Sequence, residues 1–226
     1  MTRVTLLTGR ARPLRESDIP SGIVKTPMVR PLTLGREGLE GDEQADRRVH
    51  GGIEKALHHY PFDHYAVWRY ELGSLPPLLA PGGFGENIST SGLTETTVAV
   101  GDIFRLGSAI LQVSQGRQPC WKLNRRFDVP DMARRVQQTG RTGWYYRVLQ
   151  PGTVTSGDRL ERIERVAPEW TLHRLWHTLY VDRLNLGELA GIAALDVLAE
   201  GWRKYAIRRL ESGRVEDWNK RLDGIA

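Results

Sequence analysis

The chain has 226 residues, of which 40% are hydrophobic and 26% are charged, and these values are typical of a globular protein with one domain or two small ones. Its single cysteine, Cys120, excludes an internal disulfide, an iron–sulfur cluster and the paired cysteines of a zinc ribbon. The net charge of +5 permits an anionic ligand without requiring nucleic acid. Because the apolar runs are too short for a bilayer and the first ten residues lack a signal core, we expect a soluble cytoplasmic protein that binds neither membranes nor nucleic acid directly.

Short strands separated by Gly, Pro and Asp are predicted through the first 166 residues. Apolar or alternating runs indicate strands at residues 4–7, 23–25, 29–34, 103–106, 110–113 and 144–149. Gly107-Ser108, which separates two of these runs, predicts a hairpin turn. Many short strands with such turns favour a barrel or a sandwich. We therefore expect a mainly β, barrel-like domain over residues 1–166.

Two helices are predicted within this β domain. The first follows Tyr60, with Pro61 in its first turn and Gly73 at its end. The second covers about residues 130–138, and Gly140 ends it. The domain thus combines many strands with a few helices.

The hydrophobic pattern changes to helical spacing after Val166. Three apolar stripes follow one another: Leu172, Leu175, Trp176 and Leu179; then Leu186, Leu189 and Ile192 behind the capping residue Asn185; then Trp202, Tyr205, Ala206 and Leu210. Aromatic residues at this spacing are typical of a core. We expect a small three-helix domain over residues 167–226, with the boundary at Ala167-Pro168.

The first segment that could carry chemistry is residues 41–60. Paired glycines, Gly51 and Gly52, follow His50 and permit backbone amides to approach a ligand closely. Basic side chains in the same segment, Arg47, Arg48 and Lys55, could hold an anion. We interpret His50, the glycine pair and Lys55 as functional, and Arg47 as part of a charged turn. A zinc site from His50, His58 and Cys120 is an alternative, although its spacing matches no closed-site pattern.

The second segment, residues 81–88, is rich in glycine. Three glycines in four positions favour amides that turn inward and bind an anion, and Asn87 is able to donate to and accept from a heterocycle edge. A long flexible turn is an equally supported interpretation, since glycine-rich loops are weak signals.

The third segment surrounds Cys120. Arg117 and Lys122 lie close to it in sequence and favour the thiolate form. A free cysteine is more often a small buried hydrophobe, but apolar neighbours are few here. The thiol is therefore structural, a nucleophile, or the single ligand of a metal that brings its other ligands. Together the three segments predict a site for an anionic cofactor that carries a metal.

Several motifs resemble the MOSC-domain family, in the family's order: DEQAD at residues 42–46, RVHGG at 48–52, KALH at 55–58, YP at 60–61, GFGEN at 83–87 and QPCWKL at 118–123. The match is closest to the bacterial YiiM-type members, which add a C-terminal three-helix domain. The resemblance covers nearly the whole chain.

The resemblance implies a barrel-like fold that binds the molybdenum cofactor, a pterin dithiolene with a phosphate, through Cys120 as the protein ligand of the metal. It also implies reduction of N-hydroxylated bases and related compounds. In this hypothesis Cys120 and His50 are catalytic, His50 delivers protons and His58 is a weaker candidate for that role. The expected cofactor-binding residues are Arg48, Gly51, Gly52, Lys55, His58, Gly83, Phe84, Gly85, Glu86, Asn87, Arg117, Gln118, Pro119, Trp121 and Lys122.

Electrons for such a reduction would come from a partner reductase, because the chain has no iron–sulfur ligands and no Gly-x-Gly-x-x-Gly fingerprint. The C-terminal helices are candidates for docking this partner or for forming a homodimer, and a purely stabilising role is an equal alternative. Two other functions stay open. One is a non-catalytic carrier of the molybdenum cofactor, and the other is a metal-free enzyme with Cys120 as nucleophile and His50 as base.

Overall fold

A large mixed β-sheet forms the body of the molecule in the computed structural model, which describes residues 2–14, 18–45 and 51–224. The strands are β1 Thr2–Arg3, β2 Thr5–Thr8, β3 Arg12–Pro13, β4 Pro20–Ser21, β5 Thr26–Pro27, β6 Leu32–Gly35, β7 Gly38–Leu39, β8 Leu57–Pro61, β9 Ile88–Thr90, β10 Ile103–Leu106, β11 Ala109–Gly116, β12 Trp144–Gln150, β13 Gly152–Val154 and β14 Arg159–Glu164. Nine of them form one sheet in the order β1-β14-β10-β11-β12-β8-β9-β2-β5.

The sheet curves round until its two ends are joined by one stretch of chain. Strand β1 pairs with β14 at one end, and β2, which follows β1 after a single residue, pairs with β9 near the other end. Residues 2–8 therefore close the sheet into a barrel-like form, as expected. A smaller sheet, β13-β6-β7, continues from β12 through Pro151.

Alternation of side chains along β12 explains which face of the barrel is core. Trp144, Tyr146 and Val148 are buried in the main hydrophobic cluster, whereas Tyr145 and Arg147 are only half-buried and face the other way. Strand β8 pairs with β12 so that Tyr145 lies opposite His58. Strand β8 also pairs in parallel with β9, and this needs a crossover through residues 62–87.

The helices are α1 Asp63–Leu72, α2 Lys122–Phe127, α3 Met132–Thr139, α4 Leu172–Tyr180, α5 Leu186–Ala193, α6 Glu200–Ser212 and α7 Asn219–Asp223, and short 3-10 turns lie at Ile53–Lys55 and Pro76–Leu78. Helices α4 to α6 pack on the barrel and share its core: Leu175, Ile192 and Trp202 belong to the same cluster as Val113 and Phe104. The packing is close, since a Cβ on Gly116 would lie 2.9 Å from the Trp202 ring.

A second hydrophobic cluster lies beside the barrel and is formed by the shorter helices. It includes Tyr60 from β8, Trp68 and Phe84 from the crossover region, Leu123 from α2 and Leu222 from α7. The C-terminal helix α7 thus packs against the β-rich part of the molecule rather than against α5.

Most predicted elements are confirmed, and the main differences are as follows. Pro61 is the last residue of β8, and α1 begins only at Asp63. Residues 23–25 form no strand. They lie between β4, which pairs with β3, and β5, which pairs with β2. Helices α2 and α7 were not predicted. In α6 the buried position is Arg209 and Leu210 is 36% exposed, because the guanidinium of Arg209 finds polar partners inside.

Candidate functional site

A pocket of about 80 Å³, partly open to solvent, lies where β8 and β12 begin and β11 ends. Eight of the residues predicted from the sequence line it: Lys55, His58, Phe84, Gly85, Asn87, Arg117, Cys120 and Lys122. Eight further lining residues were not predicted as site residues: Ser21, Gly22, Ile23, Lys25, Glu43, Gln44, Ala45 and Tyr145. The structure therefore brings the three chemically distinctive segments to one place.

The pocket is electropositive. Its wall carries four basic side chains, Lys25, Lys55, Arg117 and Lys122, against one carboxylate, Glu43. The Glu43 carboxylate is turned toward Arg10 and the amide of Ala11. An anion in the pocket would meet an excess of positive charge at low effective dielectric.

Arg117 is a buried cation whose polar atoms are incompletely satisfied. It follows β11, is 6% exposed, and its amide donates to the carbonyl of Gly143 at 3.0 Å. The hydroxyl of Tyr145 hydrogen-bonds to the guanidinium. Nη1 is buried with no hydrogen-bond partner in the described part of the chain. A buried donor without a partner costs free energy, so this atom is suited to an anionic ligand.

His58 presents a second buried atom of this kind. Its ring packs against Tyr145 at 5.1 Å between centroids, and one ring nitrogen interacts with the carbonyl of Gly85. The other ring nitrogen, Nε2, has no partner among residues 2–14, 18–45 and 51–224. Burial, and secondarily the Arg117 cation, hold the pKa of His58 well below its usual range. His58 is therefore neutral and able to accept a hydrogen bond at neutral pH.

The thiol of Cys120 lines the pocket. Cys120 is half-buried in the turn that leads into α2, and its carbonyl accepts from the amide of Leu123 at 3.0 Å. Lys55, at the end of the 3-10 turn before β8, is close enough to Cys120 for an electrostatic interaction. Burial lowers the pKa of Lys55, and the Cys120 charge acts against this shift.

Lys25, which lines the pocket, belongs to a buried ion pair with Asp42. The ammonium of Lys25 contacts both carboxylate oxygens of Asp42 at 2.5 Å, and both side chains are almost fully buried. The Asp42 carboxylate also accepts from the amide of Gly9 and from Nδ2 of Asn87. Burial lowers the pKa of Lys25, and Asp42 acts against that shift. The pair was not predicted because its members lie 17 residues apart within unremarkable loops.

In the glycine-rich segment, by contrast, the backbone amides already donate hydrogen bonds to other groups of the protein. The Glu86 carboxylate accepts from the amides of Gly82 at 2.7 Å and Phe84 at 3.0 Å and from the Tyr65 hydroxyl, which in turn accepts from the amide of Gly83 at 3.0 Å. The amide of Gly85 donates to Gly82 at 3.4 Å. The amides expected to hold a cofactor phosphate thus already have acceptors, and the anion inside this loop is Glu86.

Asn87 and the loop glycines also have structural partners. The Asn87 side chain accepts from the amide of His58 at 3.1 Å and donates to Leu7 and Asp42, so its amide is not available to a heterocycle. A Cβ on Gly83 would lie 2.1 Å from the carbonyl of Pro77. Close backbone packing, rather than approach to a ligand, therefore requires this glycine.

The other predicted site residues are placed away from the pocket lining. Gly51, Gly52, Gly83, Glu86, Gln118, Pro119 and Trp121 do not line it. Gly52 has φ +92° and caps the 3-10 turn, with its carbonyl accepting from Lys55. Arg48 and His50, the second of which was the predicted proton donor, lie outside the described residues, as does Arg47.

Neither a metal-binding cluster nor a membrane-spanning helix is present in the described ranges. Residues 2–14, 18–45 and 51–224 hold no cluster of three or more His, Cys, Asp or Glu side chains that could bind a metal ion. Within the same ranges, no helix has the length and apolar character needed to cross a bilayer.

Comparison with known proteins identifies the family. Residues 46–161 match the model described as MOSC domain, and residues 170–213 match the one described as YiiM-like, 3-alpha helix domain. Protein YiiM of Escherichia coli (strain K12) is 41% identical over 224 residues, with 98% of each chain covered. Its crystal structure superposes with a TM-score of 0.83 at 36% identity, again over 98% of both chains.

A further relative carries a functional name. A protein of Gibberella moniliformis (strain M3125 / FGSC 7600) named Reductase is 38% identical over 174 residues, which are 76% of this chain and 31% of the fungal protein. The matches over both parts of the chain confirm the resemblance seen in the motifs. The chain belongs to the MOSC-domain family and carries the YiiM-like three-helix domain.

Proposed function

We propose that the protein is a MOSC-type oxidoreductase that binds the molybdenum cofactor in this pocket and reduces N-hydroxylated compounds, such as N-hydroxylated purines, to the corresponding amines. The observation that carries the proposal is the pairing of a half-buried thiol, Cys120, with a buried cation, Arg117, whose Nη1 has no partner in the described chain. The fungal relative named Reductase supports the oxidoreductase class.

The donor set fits the cofactor. A thiolate is a soft ligand of the kind that a molybdenum centre accepts, and Cys120 lines the pocket. The basic side chains Lys55, Arg117 and Lys122 offset the negative charge of a dithiolene and a phosphate. Nε2 of His58 is an unsatisfied acceptor that suits a ring N–H of a pterin. The glycine loop contributes its shape rather than its amides.

When bound, the cofactor supplies the two-electron redox chemistry. The overall change converts an N–OH group, two electrons and two protons into N–H and water. The protein must therefore bind, orient and protonate. The hydroxyl oxygen of Tyr145 accepts from the guanidinium of Arg117 and orients it, and burial raises the pKa of Tyr145, so the phenol stays neutral. Electrons would come from a separate reductase, and His50 remains the proposed proton donor.

The metal-free alternative would use Cys120 as nucleophile and His50, which lies outside the described residues, as base. A nucleophilic thiol needs a base whose pKa is near neutral. The described histidine of the pocket, His58, has its pKa held well below that range by burial. A carrier without catalysis uses the same ligand contacts, so turnover assays are needed to separate it from the enzyme.

The test is the molybdenum content of the full chain, purified gently from a host that makes the cofactor, with Cys120→Ser beside the wild type. We expect near-stoichiometric molybdenum in the wild type and a loss of about tenfold or more in Cys120→Ser, because a ligand is removed. Circular dichroism checks that the variant is folded. Loaded wild-type protein is then assayed with N-hydroxylated purines and a chemical electron donor.

Two outcomes would overturn the proposal. Wild-type protein without molybdenum, from a competent host, would favour the thiol enzyme, and alkylation of Cys120 should then abolish activity. Loaded protein that reduces no N-hydroxylated compound would favour the carrier.

A further inference from the structure

The loop that carries the thiol is held from behind by the C-terminal segment, residues 214–224, which lies beyond the parts of the chain that match either family model. Nη1 of Arg221 donates to the carbonyl of Pro119, and the carbonyl of Arg221 accepts from the amide of Trp121 at 2.8 Å. Arg221 donates in the first hydrogen bond and accepts in the second, and the two bonded residues, Pro119 and Trp121, flank Cys120 in the sequence. One residue of the segment thus fixes the backbone on both sides of the thiol.

Arg221 is itself held on several sides. Its Nη2 donates to Oε1 of Gln137 in α3, and its guanidinium lies 4.8 Å from the centroid of the Trp218 ring. The centroid of the Trp218 ring lies 5.9 Å from that of Tyr180 in a tilted arrangement and 5.1 Å from that of Tyr205 in an edge-on one. Burial lowers the pKa of Arg221, and electrostatic interaction with tyrosines and with Cys120 opposes this.

The three-helix region positions the start of the segment. Arg209 of α6 is fully buried, donates to the carbonyl of Leu179 in α4 at 2.9 Å, and contacts Glu216 at 2.8 Å. The hydroxyl of Tyr180 accepts from Gln118, directly before Pro119. The contacts therefore run from α4 and α6 through residues 214–224 to the loop of Cys120.

We propose that Arg221 is a positioning residue that holds the Cys120 loop in the geometry needed to ligate the metal, and that the three-helix region and the C-terminal segment form the support for this loop. The contacts are independent of the cofactor, but their value for metal binding rests on the proposed function. Pro119 has no amide of its own, so hydrogen bonds to its carbonyl and to the next residues decide the orientation of the loop.

The experiment measures hydrogen–deuterium exchange by mass spectrometry on the full chain, for wild type, Arg221→Ala and Arg221→Lys. Arg134→Ala is the matched control, because Arg134 binds the same segment through Asp223 at 2.9 Å without touching the loop. Leu189→Ala is the control for lowered overall stability, since Leu189 is buried in α5 away from the loop. The readout is exchange in peptides that cover residues 119–124.

In Arg221→Ala we expect exchange of these peptides to be about tenfold faster, because losing a hydrogen bond from a charged donor shifts local opening by about one decade. Arg221→Lys should restore part of the protection, since an ammonium can still reach one acceptor. Arg134→Ala should leave the loop unchanged. Leu189→Ala should speed exchange in the three-helix core more than in the loop.

The inference is overturned if Arg221→Ala exchanges like wild type at residues 119–124, or if Arg134→Ala speeds exchange there equally. The consequence for the metal is read from dialysis of loaded protein, in which Arg221→Ala should lose molybdenum about tenfold faster than Arg134→Ala. Wild-type protein that never binds molybdenum would end the proposed function, while the exchange data would still decide whether Arg221 holds the loop.

Discussion

Two regions border the same pocket but differ in how their polar groups are hydrogen-bonded. One is the glycine loop, residues 82–87. The other is the thiol wall, formed by Lys55, Arg117, Cys120 and Lys122. In the glycine loop, three amides and a tyrosine hydroxyl converge on Glu86 and on one another. In the thiol wall, Nη1 of Arg117 is buried with no partner in the described chain. Both regions are glycine-rich or basic segments that suggest a cofactor site when seen in the sequence alone.

In the proposed function, the difference separates groups that maintain the fold from groups that would bind a ligand. A buried polar atom with an internal partner contributes to stability, and removing the partner exposes its full desolvation cost. A buried donor without a partner lowers the stability of the free protein and gains by binding. The neighbouring histidines show the same contrast: His59 is bonded to Tyr146 and Thr90, whereas Nε2 of His58 is unpartnered in the described ranges.

The largest effect is expected from Glu86→Ala. This change leaves the amides of Gly82 and Phe84 and the hydroxyl of Tyr65 buried without their acceptor. Each buried group without a partner costs about 1–3 kcal/mol, and water that enters the cavity offsets part of this cost. We therefore expect the free energy of unfolding to fall by about 3 kcal/mol or more. Urea denaturation of the cofactor-free protein measures it.

Glu86→Gln is the matched control, because its carbonyl can replace Oε1, which accepts from Tyr65 and Gly82, while only the contact to Phe84 is lost. A loss of about 1 kcal/mol is expected there. If Glu86→Ala were as stable as wild type but bound no cofactor, the glycine loop would be a binding element after all.

The second prediction concerns acid. Burial lowers the pKa of His59 to about 3, and the pKa of His58 is also held well below 6.5. Both groups take up protons more readily when unfolded, so stability is complete above pH 6.5 and falls as the pH drops from 6.5 toward 3. For His59 alone the loss between pH 7.5 and 5.0 is about 2 kcal/mol. Burial also raises the pKa of Glu86 above its ordinary value of 4.5. Glu86 alone would therefore lower the stability of the folded protein as the pH rises, which is opposite to the effect of the histidines.

The measurement is urea denaturation at pH 7.5 and 5.0 for wild type and His59→Gln. The variant should be less stable at pH 7.5, because its contacts to Tyr146 and Thr90 are altered, but its stability should fall less between the two pH values. Equal pH dependence in both proteins would show that His59 does not cause the acid sensitivity.

Much of the fold follows from local patterns. Alternation along β12, the turn at Gly107 and the capping contact between Asn185 and the amide of Glu188 are encoded within a few residues of one another. Helix α7 escaped prediction because its five residues contribute one buried side chain, Leu222, and its stability comes from distant contacts. Short helices without an amphipathic stripe give no periodic signal.

The candidate site was predictable only in outline. Cys120, Lys55 and Arg117 stand out by residue type, and they do line the pocket. Tyr145 looks like one more core aromatic until the pairing of β12 with β8 shows which face it occupies. Glu86 binds two amides of its own loop and the hydroxyl of Tyr65, and Asn87 binds Asp42, 45 residues away. Their side-chain chemistry alone suggested ligand binding where the structure shows internal hydrogen bonds.

The smallest change in stability, and the sharpest test of the comparison, is expected from Arg117→Met set beside Arg209→Met. Both arginines are buried, but the guanidinium of Arg209 donates to Leu179, Arg183 and Glu216, whereas Nη1 of Arg117 has no acceptor in the described chain. Replacing Arg117 by an apolar side chain of similar length removes a desolvated cation and should leave the cofactor-free protein equally stable or about 1 kcal/mol more stable. Replacing Arg209 leaves the Glu216 carboxylate without its cation and should lower the free energy of unfolding by about 3 kcal/mol.

Molybdenum content should respond in the reverse order. Arg117→Met should lose about tenfold or more of its bound molybdenum, because the cation that offsets the cofactor charge is gone, whereas folded Arg209→Met should keep most of it. Urea denaturation and elemental analysis on the same preparations give both numbers. The opposite result would be that Arg117→Met loses as much stability as Arg209→Met and keeps its molybdenum. Arg117 would then belong with Glu86 among the groups that maintain the fold. A buried atom without a partner would no longer mark the ligand-binding face of this pocket.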